Sequence, residues 1–154
     1  MKGVRLLAVA VMLAGLVSLV IGIVFIVQSV SVKAQVTEGL AAERQTSQLP
    51  AEGEEGYFEG NVVDTAEEAA AVAEYLLGHI HGEDGDTTYA TTERGSEERA
   101  SYLDGFTLVT GLNLAVTAFG VATIALASGV VMITTGLALG GTGFGLYRLS
   151  GRMS

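Results

Sequence analysis

The sequence predicts an all-α membrane protein: two long transmembrane helices, or three if the second apolar block folds as a hairpin, flanking an acidic helical and loop segment outside the cytoplasm. Three observations predict it. The 154-residue chain is 49% hydrophobic and holds 21 glycines, yet its net charge is −9. All 17 acidic residues lie between Glu38 and Asp104, and the central segment offsets them only with Lys33, Arg44, Arg94 and Arg99. The ends carry Lys2, Arg5, Arg148 and Arg152 around two long apolar runs. Four segments follow: 1–28 with the first span, 29–105 acidic, 106–147 rich in Gly and Ala, and 148–154 as a basic tail. The chain has no cysteine, which excludes disulfides and thiolate metal sites. Its overall acidic balance argues against binding nucleic acid, whose phosphates need a basic face.

In the first run, residues 4–27 are Val, Leu and Ile in the main, with Arg5 at the start and only Ser18 polar beyond it. As a helix this run reaches roughly 36 Å, enough for a hydrocarbon core of ~30 Å with some tilt. A cleaved signal peptide is the alternative, with Lys2 and Arg5 as its n-region and Val32-Lys33-Ala34 as its cleavage site. The usual apolar core of such a peptide is only ~7–15 residues, so an uncleaved anchor is expected. Ala8, Gly15, Gly22 and Ser29 recur every seventh position, beside Ser18-x-x-x-Gly22. A stripe of small residues lets a second helix backbone approach closely in the membrane.

The segment 28–44 contains no Pro and can prolong the first helix beyond the bilayer. Pro50 and the glycines among acids at 48–56 read as a loop. A second helix is expected near 65–80. Asp64 or Thr65 can cap it, Glu68 completes a capping box with Thr65, and acids fill its first turn. Ala69, Val72, Ala73, Leu76, Leu77 and Ile80 form an apolar stripe at helical spacing. Residues 82–86 read as an acidic turn. His79 and His81, with Glu83, Asp84 and Asp86 nearby, are metal-ligand types, but two helical positions two apart do not share a face. Asp84-Gly85-Asp86 lacks the alternating oxygens and distal Glu of a calcium loop. No nucleophile elbow or triad order occurs. The expectation is therefore no catalytic, cofactor or metal site.

Residues 106–146 hold no charge and are about twice as long as one crossing needs. Either one helix crosses over roughly 117–139 while 106–116 packs outside on the extension of the first helix, or two short helices turn near Ser128-Gly129. Basic residues at both ends favour the same, cytoplasmic side for both termini, hence two crossings and an external 29–105 segment. Ala118, Ala122, Ala125 and Gly129 form a small-residue ridge, followed by Gly136-x-x-x-Gly140 and Gly141-x-x-x-Gly145. Asn113 is the most polar side chain of the block and is expected to act as interhelical glue. The helix-packing set is thus Gly15, Gly22, Asn113, Ala118, Ala122, Gly129, Gly136 and Gly140. Apart from Arg5 at the start of the first run, neither run contains an ionisable side chain, which excludes a proton relay or ion-coupled transporter.

Several phrases carry a resemblance. These are Leu40-Ala41-Ala42-Glu43, the Ala-rich helix with His79, Thr88-Tyr89-Ala90, Arg94, Arg99-Ala100, Asn113-Leu114-Ala115-Val116 and 118–122. Through them the chain resembles a family of short bacterial membrane proteins of unestablished function, some labelled aromatic ring-opening dioxygenase. The resemblance implies a bacterial plasma-membrane location. The residues give the label no support, because such chemistry needs iron held by two His and a carboxylate in an enclosed pocket. The expected function is an accessory or structural component of a cell-envelope assembly. Its partners would be membrane lipid and either a second copy or another membrane protein. The alternative is a small sensor whose acidic segment binds a cation or a basic partner.

Overall fold

The computed structural model describes residues 2–42, 63–82 and 86–152, and within them all regular structure is helical. Three helices follow in order: α1 (Lys2–Ala42), α2 (Ala66–His81) and α3 (Glu97–Arg152). Two of them, α1 and α3, are long and apolar enough to cross a membrane. The expected loop at 48–56 and most of the acidic turn, including Asp84-Gly85, lie outside the described residues.

The chain divides into two compact units: residues 1–31 with 121–154, and residues 32–120. The first unit is a pair of antiparallel helical segments, one from α1 and one from α3. Here α3 departs from the hairpin alternative. It runs 56 residues without a break, so Ser128-Gly129 lies inside it, and it starts at Glu97, ahead of the apolar block. Ser96 explains the early start. Its Oγ accepts from the Arg99 backbone N–H at 3.1 Å, and Glu97 and Glu98 occupy the first turn, where the helix dipole favours negative charge. With no Pro beyond Pro50 and no charge between Asp104 and Arg148, nothing in the sequence interrupts the helix once begun.

The second unit has a packed apolar core. Val63, Ala69, Val72, Ala73, Val109, Leu112, Ala115 and Phe119 are buried, with Val36 and Leu40 of α1 packed against them. The stripe read on α2 thus faces α3. Gly105 makes room for this contact, since a Cβ there would collide with the Ile80 side chain. The box at the start of α2 is complete: Thr65 Oγ1 accepts from Glu68 N–H at 3.1 Å, and Glu68 Oε2 accepts from Thr65 N–H at 3.2 Å and Asp64 N–H at 2.9 Å. Thr65→Ala should therefore destabilise α2 by about 1 kcal/mol. Hydrogen exchange of the amides at 66–70 measures it; unchanged protection would mean the box contributes nothing.

The connection into α3 is fastened by side chains. Arg99 donates from Nη1 to the Thr92 carbonyl at 3.1 Å, and its guanidinium lies 3.7 Å from the centre of the Tyr89 ring. Thr88 and Thr91 exchange hydrogen bonds across the intervening turn. These contacts, with positive φ at Gly82 and Gly95, hold 86–96 between the helices.

Candidate helix-packing site

In the first unit the fully buried residues are all small, while most of the large ones lie outside and a few, such as Leu19 and Ile133, border the seam. On α1 the stripe Ala8, Gly15, Gly22 and Ser29 is buried; on α3 it is Ala122, Gly129, Gly136, Gly143 and Ser150. Both stripes have a seven-residue period, and they meet antiparallel. Ser29 Oγ donates to the Ala122 carbonyl at 2.7 Å. A Cβ added to Gly22 would sit 2.8 Å from the Gly129 carbonyl oxygen, and one on Gly15 would sit 2.8 Å from that of Gly136. One on Gly143 would lie 2.9 Å from the Ala8 carbonyl oxygen. Each step of seven forward along α1 is a step of seven back along α3. A repeat of seven falls just short of two α-helical turns, so keeping it in contact calls for a left-handed supercoil.

What the contact excludes is as informative as what it contains. Leu6, Leu13, Leu16, Val20, Ile23 and Val27 on α1 expose about half or more of their surface, as do Val121, Ile124, Val131, Leu137 and Phe144 on α3. A water-soluble helix pair buries its large apolar side chains in the seam. Here the seam holds the smallest, and the attraction available is close van der Waals packing of backbones, with polar groups bonded across. Ser18 supplies a second such bond, donating from Oγ to the Met132 carbonyl at 2.8 Å.

The expected packing residues are placed as follows. Gly15, Gly22, Ala122, Gly129 and Gly136 lie in the seam. Gly140 belongs to it through its backbone: a Cβ on Gly15 would meet Gly140 N at 2.8 Å, while one on Gly140 itself would meet nothing within 4 Å. Gly141 and Gly145 likewise have open space where a Cβ would go. Asn113 lies outside the seam. Its side chain is exposed on α3, because neighbouring Leu112 and Ala115 take the buried phase. The bonds between helices come instead from Ser18 and Ser29. Ala118 is half-buried in the second unit, where it borders an apolar cleft of about 680 Å³ with Val36, Leu40, Leu108 and Gly111.

Gly143 and Ser150 were missed by the sequence reading. Their signal is the period of seven already visible in α1, which a partner helix must share to stay in register. In α3 the abundance of Gly and Ala hides it among competing spacings of three and four.

His79 and His81 both fall within α2, and His81 stacks on Tyr102 with ring centres 6.2 Å apart. Among the described residues no group of three or more His, Cys, Asp or Glu could hold a metal ion. Comparison with known protein families, curated proteins and solved structures finds no match to this chain.

Proposed function

We propose that this chain is an integral plasma-membrane protein and a non-enzymatic, structural or accessory component of a cell-envelope assembly. In this reading α1 and α3 cross the bilayer together, both termini lie in the cytoplasm, and residues 29–105 lie outside it. One observation carries the reading: the inverted arrangement of the first unit, with glycine, alanine and serine in the seam and large aliphatic side chains turned outward. Exposing so much apolar surface to water costs roughly 25 cal/mol per Å², whereas lipid accepts it freely. The distribution of charge supports the orientation, since the basic residues outside the acidic block sit at the two chain ends. What the chain offers to others is an acidic segment and a lipid-facing pair of helices, which are means of association.

The test is co-purification. A tagged full-length chain, extracted in mild detergent, should carry a partner in fixed stoichiometry, either a second copy or another membrane protein. Recovery of a lone monomer would sink the accessory role. A reporter fused after Ser154 should read cytoplasmic, and an external signal would overturn the two-crossing orientation.

A further inference from the structure

Resting on the membrane reading, we propose that the end of the first unit bearing Arg5, Arg148 and Arg152 binds the phosphate of an anionic phospholipid. Charge supplies the first argument. No Asp or Glu occurs before Glu38 or after Asp104, so this unit contains no carboxylate side chain to neutralise its cations. Within this unit, then, no carboxylate side chain competes for these exposed cations, which are open to an anion from outside the chain.

Geometry supplies the second. The antiparallel pairing brings Arg5 of α1 to the last turns of α3. Its guanidinium lies 6.0 Å from the centre of the Tyr147 ring, and a Cβ on Gly151 would lie 3.7 Å from its Nη2. Arg148 lies 6.0 Å from the centre of the Phe144 ring. At 6.0 Å each ring is within reach of a cation–π attraction, and the forked N–H groups of an exposed guanidinium suit a planar pair of oxygens. Arg5, Arg148 and Arg152 are all exposed. Exposed Leu6 and Leu149 flank them and offer apolar surface for the chains of the same lipid. Tyr and basic residues at one level are the usual furniture of a membrane interface, where headgroup phosphates are found.

The experiment uses the full chain in uncharged detergent, with bound lipids counted by native mass spectrometry. Phosphatidylglycerol and phosphatidylcholine of identical acyl chains are the probes. The wild type should bind phosphatidylglycerol at least about tenfold more tightly. The triple variant R5Q/R148Q/R152Q should lose that preference with its helical circular dichroism intact, and K33Q should keep it. The all-lysine variant, R5K/R148K/R152K, should retain a reduced preference because the charge remains but the forked edge does not. Equal binding of the two lipids by the wild type, or full preference in the glutamine variant, overturns the proposal. So does displacement of the lipid by millimolar inorganic phosphate, which would mark a simple anion site. The membrane reading fails separately, if alkaline carbonate strips the chain from membranes. A chain that stays embedded but ignores the headgroup sinks only the lipid site.

Discussion

Gly136→Leu should force the two apolar helical segments of the first unit apart. A side chain begins at Cβ, and the Cβ position at Gly136 is 2.7 Å from the Gly15 carbonyl oxygen, 2.7 Å from Leu19 Cγ and 2.9 Å from the Leu19 backbone nitrogen. Leu19 could swing aside by changing rotamer. The backbone atoms cannot, because they belong to an intact helix. The seam must widen along its length, and that forfeits the close packing on which association in lipid depends. Overpacking a well-filled core costs about 1–3 kcal/mol, and an obstacle made of backbone places this variant at the upper end, near 3 kcal/mol. Gly22→Leu should behave alike, since its Cβ would meet Gly129 O and Ile133 Cγ1, both at 2.8 Å. The contrast lies with Gly141→Leu and Gly145→Leu, where nothing stands within 4 Å. Those should match the wild type within about 0.5 kcal/mol. Unfolding of the detergent-solubilised chain by added dodecyl sulfate, followed by circular dichroism, ranks them. Equal midpoints for Gly136→Leu and Gly141→Leu would show that the seam contributes nothing to holding the segments together.

Much of this was legible from residue types alone, and the limits have a physical cause. In α1 the small residues are sparse among Val, Leu and Ile, so the stripe from Ala8 to Ser29 stands out at one period. In α3, Ala118, Ala122, Ala125, Gly129, Gly136, Gly140, Gly141 and Gly145 satisfy several spacings at once. Choosing among them needs the phase of the helix, which only the partner surface sets. Asn113 shows the same gap: its polarity was read correctly, but its direction depends on which of its neighbours enters the core. Capping was clearer, because it acts within a few residues. Thr65 and Glu68 are three apart, and their reciprocal hydrogen bonds need no information from the rest of the chain. Ser96 has the same local signature, followed at once by Glu97 and Glu98, and it marks a helix start at 97, ahead of the apolar block.

Leu112→Ala is expected to be the most damaging single truncation in the second unit. Leu112 is 1% exposed and heads the fully buried side chains. It lies in a core that α1, α2 and α3 build jointly, with Ala69, Val72 and Ala73 from α2 and with Val36 and Leu40 of α1 packed against it. The buried α2 residues of that core are Ala69, Val72 and Ala73, whose short side chains cannot extend into the space left by a missing isobutyl group. Losses of about 2–5 kcal/mol accompany Leu→Ala where the surroundings cannot collapse. The element that should respond first is α2. It has 16 residues, close to the length at which an isolated helix is marginal in water, so its docked stripe rather than its propensity keeps it folded. Hydrogen exchange across 66–81 should therefore accelerate in Leu112→Ala, while the seam segments 8–29 and 122–143 keep their protection. Leu114→Ala is the matched control. It removes the same atoms two positions away, from a side chain 67% exposed, and should leave α2 unchanged within about 0.5 kcal/mol. If both variants loosen α2 equally, the apolar stripe of α2 is not what docks it. If neither does, its order must come from the capping box and the 86–96 connection alone.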